Sequence, residues 1–148
     1  MSIRLFFSIL SLMFLASACT NDGASFMIED RNHSLSLERE QPYFWDDRVN
    51  YWLVVTHLPA CQRKHFVVLG LPTFKTELWD MGGGTYALRM GKKMYVTETR
   101  TCNAFAPLPE EPATGLGTLL GRYQQNREGA LTFKREAASP AAPDSAMR

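Results

Sequence analysis
The residues able to carry chemistry in this chain are few and scattered. Three histidines, His33, His57 and His65, and three cysteines, Cys19, Cys61 and Cys102, share no C-x-x-C or H-x-x-x-H spacing. Such spacing is what brings metal or redox ligands onto one face of a turn or helix, so no metal site is expected. Asp46 and Asp47 could act as paired carboxylates, but adjacent side chains on an extended backbone point to opposite sides. A turn or cap is the better expectation for them. Gly82-Gly83-Gly84 could cradle a phosphate, yet neither a P-loop Lys-Ser/Thr nor a helical pattern follows, and a hairpin turn is expected. The chain lacks a G-x-S-x-G elbow, an H-E-x-x-H pair, a calcium loop and a dinucleotide fingerprint. The expectation is therefore a noncatalytic protein without a cofactor.

The elements around these residues alternate with period two. Residues 26–28 and 34–40 read as an opening hairpin, with Leu35 and Leu37 facing inward and Asp30-Arg31-Asn32-His33 supplying the turn. Pro42 ends that strand. Tyr43, Phe44 and Trp45 follow as core plugs or, alternatively, as an exposed recognition surface. Residues 49–57 are apolar on both faces, with Tyr51, Leu53 and Val55 opposite Trp52 and Val54, which points to a central strand. Cys61 falls in the next turn, and residues 61–65 read as a solvated basic loop. Residues 66–69, 74–79, 86–90 and 94–99 supply further strands, with tight turns at 82–84 and 91–92. Residues 106–117 read as a long Pro- and Gly-containing loop. Residues 119–125 and 130–134 flank a turn ending in Gly129, which places Tyr123 near Phe133. The fold expected is all-β: a small antiparallel meander, barrel or sandwich of about seven to nine strands.

The first 18 residues have the layout of an export signal. Arg4 precedes an apolar run from Leu5 to Leu15 that is too short for a spanning helix, and small residues close it. Leu15-Ala16-Ser17-Ala18-Cys19 resembles the lipobox of bacterial lipoprotein precursors, with Ala16 where that family prefers a larger aliphatic residue. The resemblance covers 19 residues. It implies that Cys19 becomes a lipidated (palmitate-bearing) N-terminus in the cell envelope, and Thr20 implies the outer membrane and a periplasm-facing domain. Ala16-Ser17-Ala18 also suits release of a soluble periplasmic protein, which is the alternative.

Export bears on the cysteines. Lipidation accounts for Cys19 and leaves Cys61 and Cys102 as an even pair in an oxidising compartment, where a disulfide is expected. Closing a loop of about 42 residues would contribute roughly 4 kcal/mol by chain entropy.

The domain boundaries that follow are a signal at 1–18, a tether at 19–25, one β domain at 26–136 and a disordered tail at 137–148. The chain of 148 residues, shortened by its signal, suits a single domain. It carries 16 basic and 15 acidic residues, and loss of Arg4 balances them. That balance gives no electrostatic case for nucleic acid. The expected partners are the membrane, through the lipid, and an envelope protein. The functional expectation is a lipid-anchored envelope protein presenting a β domain for binding or assembly. Alternatives are a carrier holding a small apolar ligand among Tyr51, Leu53 and Tyr86, and an inhibitor of a secreted hydrolase such as lysozyme.

Overall fold
A computed structural model describes residues 21–137, and none of them is helical. Ten strands form two antiparallel sheets. The first holds β1 (Asn21–Met27), β2 (His33–Glu40), β3 (Val49–His57) and β4 (Cys61–Gly70) in that order. The second holds β5 (Thr76–Gly82), β6 (Thr85–Met90), β7 (Lys93–Glu98), β8 (Phe105–Leu108), β9 (Thr118–Gln125) and β10 (Leu131–Arg135), ordered β10-β9-β5-β6-β7-β8.

The alternation seen in the sequence becomes the two walls of one core. Leu35, Leu37, Tyr51, Leu53 and Val55 from the first sheet meet Leu78, Tyr86, Leu88, Tyr95 and Tyr123 from the second. Each such side chain contributes about 1.5–3 kcal/mol by leaving water, and period two puts them all on one face. Across the middle of this core the Tyr123 hydroxyl donates to the Leu35 carbonyl oxygen at 2.7 Å. Burial pushes the Tyr123 hydroxyl far above its ordinary pKa, so it stays protonated and available as a donor.

Both open edges of the sandwich are laced shut. At one seam Phe26 of β1 packs on Phe133 of β10 with ring centroids 5.2 Å apart. The Arg135 Nη2 donates to the Met27 carbonyl there at 3.1 Å. At the other seam Cys61 and Cys102 form the expected disulfide, His65 Nε2 lies 2.8 Å from the Cys102 carbonyl oxygen, and the His65 ring stacks on Phe105 at 5.1 Å.

Three segments differ from the sequence reading. Residues 21–25, expected within the tether, belong to β1 and pair with β2 from Asn21↔Glu40 to Met27↔Ser34. Local Asn-Asp-Gly turn chemistry loses there to a full backbone ladder, a Ser25–Ser36 hydroxyl bond of 2.7 Å and the capture of Asp22 by Arg39. Residues 61–65 are the first half of β4 rather than a loop, although Gln62, Arg63 and Lys64 do face solvent. Phe105–Leu108, partly inside the expected loop, forms the edge strand β8 and brings the number of strands to ten. Pro107 is compatible with it because an edge strand has one side free of ladder bonds. Cys19 and residues 138–148 lie outside the described residues.

Candidate binding surface
Strand register defines the two ends of the sandwich. Asn21 opposite Glu40, and Val49 opposite Gly70, place the start of β1 beside the loops at 41–48 and 71–75. Thr76 opposite Met90, with Met90 opposite Lys93, adds the β6–β7 turn to the same end.

The loop at 41–48 is built by local hydrogen bonds. Asp46 N–H donates to the Tyr43 carbonyl oxygen at 3.2 Å, and Gln41 Nε2 donates to the Asp46 carbonyl oxygen at 2.9 Å. The Asp46 carboxylate accepts the Arg48 backbone N–H at 3.0 Å and the Arg48 Nη2 at 2.7 Å. Those bonds from Arg48 hold its carboxyl at about 2. Asp46 therefore acts as the turn residue expected, and Asp47 faces solvent.

This loop presents the aromatic triplet to water. Trp45 stacks on Tyr43 at 5.1 Å and meets the edge of Phe44 at 4.7 Å. Tyr43 is 53% exposed, and Phe44 and Trp45 are each 70% exposed. The core-plug expectation for these three is thus overturned in favour of the surface alternative. The reason is that Tyr51 and Phe74, stacked with centroids 6.4 Å apart, already cover this end of the core.

The loop at 71–75 is pinned from below. The Tyr51 hydroxyl donates to the Leu71 carbonyl oxygen at 2.7 Å, and the Arg39 Nη1 donates to the Pro72 carbonyl oxygen at 2.7 Å. Phe74 lies so close over Gly70 that a Cβ there would come within 2.5 Å of its ring. Between this loop and the β6–β7 turn runs a cleft of about 610 Å³ lined by Val68, Leu69, Phe74, Met90, Lys92 and Lys93.

Arg39 is the centre from which this end is organised. It is 1% exposed, and its Nε donates to Asp22 Oδ1 at 2.8 Å while Nη2 reaches the Gly129 carbonyl oxygen at 2.9 Å. Asp22 also accepts the Leu131 N–H at 2.7 Å. Burial alone would raise the Asp22 carboxyl, yet the bonds from Arg39 and Leu131 win and lower it. Burial would likewise lower Arg39, and the Asp22 partner raises it. Neither residue was singled out in the sequence, although Arg39 continues the inward positions of Leu35 and Leu37. A charged residue in phase with an apolar face is a signal that could have found it.

The other candidates lie apart from this end. His33 and His57 stack at 4.1 Å beside the β3–β4 turn, with His57 Nδ1 lying 2.8 Å from the Thr99 carbonyl oxygen. His65 belongs to the disulfide seam. The three histidines are not brought together with Asp46 or Asp47, and among the described residues no three His, Cys, Asp or Glu side chains group in a metal-holding arrangement. Gly83 and Gly84 form the expected turn between β5 and β6, with Gly82 ending β5 opposite Thr85. Tyr51, Leu53 and Tyr86, the residues expected to line an internal ligand cavity, are packed into the shared core.

Fold and site together define a disulfide-closed, two-sheet β domain with an exposed aromatic cluster at one end. No protein-family model, curated protein or solved structure matches the chain.

Proposed function
We propose that this chain is a lipid-anchored cell-envelope protein that presents a rigid β-sandwich as a noncatalytic binding surface. The observation that supports the reading is the Tyr43-Phe44-Trp45 stack. Three adjacent aromatic side chains held in water by a hydrogen-bonded loop have no part in the core, and clustered exposed apolar surface is characteristic of recognition sites. The lipobox-like segment ending at Cys19 supports the address, and the Cys61–Cys102 disulfide is in keeping with an oxidising compartment. Metabolic labelling with a fatty acid tests the anchor. Wild type is expected to take up label and to sediment with membranes, and Cys19→Ser is expected to do neither; an unlabelled wild type would overturn the reading.

A further inference from the structure
We propose that the partner of the aromatic end is the bilayer itself: Tyr43, Phe44 and Trp45, together with the lysine-rimmed cleft at the same end of the sandwich, dock on an anionic phospholipid surface. This inference rests on the anchoring of Cys19 proposed above. Three independent features of the molecule converge on it.

Exposed apolar side chains are unevenly distributed. Among the described residues the large hydrophobic side chains standing in solvent are Met27, Leu58 and Phe66, plus six others at one end: Tyr43, Phe44, Trp45, Leu69, Leu71 and Phe74. Tyrosine and tryptophan favour the headgroup level of a membrane, where an apolar ring and a polar tip are both accommodated.

Within the cleft at this end the charge is of one sign. Lys75, Lys92 and Lys93 line the cleft between the 71–75 loop and the β6–β7 turn, and no carboxylate lines it with them. None of these three lysines forms an ion pair among the described residues. Lysines at this position attract anionic headgroups, and their butyl stems extend the apolar floor made by Leu69, Phe74 and Met90. Nearby, Asp46 is neutralised by Arg48. Asp47 stands exposed on the same loop, and Glu40, Glu110 and Glu128 are exposed at the same end, so the attraction for anionic headgroups is confined to the lysines of the cleft.

Chain geometry orients the domain. β1 begins at Asn21, paired with Glu40 at the aromatic end. Two peptide steps separate Asn21 from Cys19, a reach of at most about 7 Å. A lipid on Cys19 therefore brings this end to the bilayer. The described chain finishes at the far end, where Glu136 N–H donates to the Leu120 carbonyl oxygen at 3.0 Å.

The test uses the full lipidated chain in vesicles of brominated phosphatidylcholine, with and without brominated phosphatidylglycerol. Flotation reports the anchor, and bromine quenching of tryptophan fluorescence reports docking. Quenching is expected in wild type and is expected to fall to the lipid-free baseline in Trp45→Phe, which leaves Trp52 and Trp79 as internal controls. Anionic lipid should raise the quenching about twofold, and Lys92→Glu with Lys93→Glu should cancel that rise. A chain that floats but is quenched equally with and without Trp45 would overturn docking while leaving the anchor intact. A chain that does not float would overturn both. An unquenched Trp45, with a photocrosslink from position 44 to a protein in intact cells, would assign the surface to a protein partner and overturn the bilayer.

Discussion
The guanidinium of Arg39 and the carboxylate of Asp22 face each other across β1 and β2 and form a two-pronged ion pair in which the Arg39 side chain is fully buried. Through its remaining donors Arg39 also holds Pro72 and Gly129, so one side chain joins the first strand, the β4–β5 loop and the β9–β10 turn. Removing it would leave a carboxylate and two carbonyl oxygens short of a donor. Arg39→Ala is expected to lower stability by about 3–5 kcal/mol, read as the shift in a urea midpoint. Asp22→Ala should lower it by a smaller amount, because that carboxylate is partly solvated. A neutral Asp22→Ala would mean that residues 21–25 do not form a working strand.

Tyr123 provides a buried hydrogen bond between the two sheets, from its hydroxyl to the Leu35 carbonyl oxygen. Tyr123→Phe keeps the ring, its contact with Phe133 at 4.7 Å and the core volume, and removes only the donor to Leu35. The expected loss is about 1–2 kcal/mol, the usual effect of deleting one partner of a buried hydrogen bond. Equilibrium denaturation of the variant measures it, and a change below a few tenths would show the bond to be dispensable.

The Cys61–Cys102 bond spans a separation of 41 residues and stands at one of the two seams. Its reduction is expected to cost roughly 4 kcal/mol if unfolded-chain entropy dominates. Mass spectrometry of nonreduced peptides should find Cys61 and Cys102 joined, and the denaturation midpoint should fall when a reductant is added. Cys102 also adopts a left-handed backbone with φ of 58°, a conformation that a side chain disfavours. Comparing Cys61→Ser/Cys102→Gly with Cys61→Ser/Cys102→Ser should show the glycine form to be the more stable.

Acid should loosen the same seam through Glu98. Burial raises its carboxyl, but bonds from the Thr101 hydroxyl and from the backbone N–H groups of Thr101 and Ala104 outweigh this and take it from 4.5 to about 2. A folded-state pKa below the unfolded one stabilises the fold above the unfolded value and loses that effect as pH falls through the folded one. The contribution is therefore complete above pH 4.5 and disappears toward pH 2. Wild type should be more stable than Glu98→Gln at neutral pH, and the gap should close across that window in pH-dependent melting.

Much of the local architecture was legible in the residues. The opening hairpin, the turns at 82–84 and 91–92, and the pairing of Tyr123 with Phe133 rest on contacts between near neighbours, where alternation and turn chemistry act directly. The placement of β9 beside β5 was not legible, because the strands are joined only by a long excursion through β6, β7 and β8. Strand edges are made of the same backbone groups whatever the sequence, so local pattern names no distant partner. The aromatic triplet was ambiguous for a related reason. Trp45 suits a core or a surface equally well, and the choice depended on whether Tyr51 and Phe74 had already filled that end.

By itself the sequence determined the all-β class and the inward faces of most strands, since period two is a property of the chain alone, and it made Cys61 and Cys102 the expected pair once Cys19 was assigned to a lipid. Tertiary structure alone decided the division into two sheets, the recruitment of residues 21–25 into β1, the burial of Arg39 and the exposure of Tyr43, Phe44 and Trp45. These are matters of which distant groups compete for the same space and the same hydrogen bonds. That competition is resolved only when the two sheets close on each other, and its outcome is one end of the molecule that carries the start of the first strand, three lysines and six exposed apolar side chains.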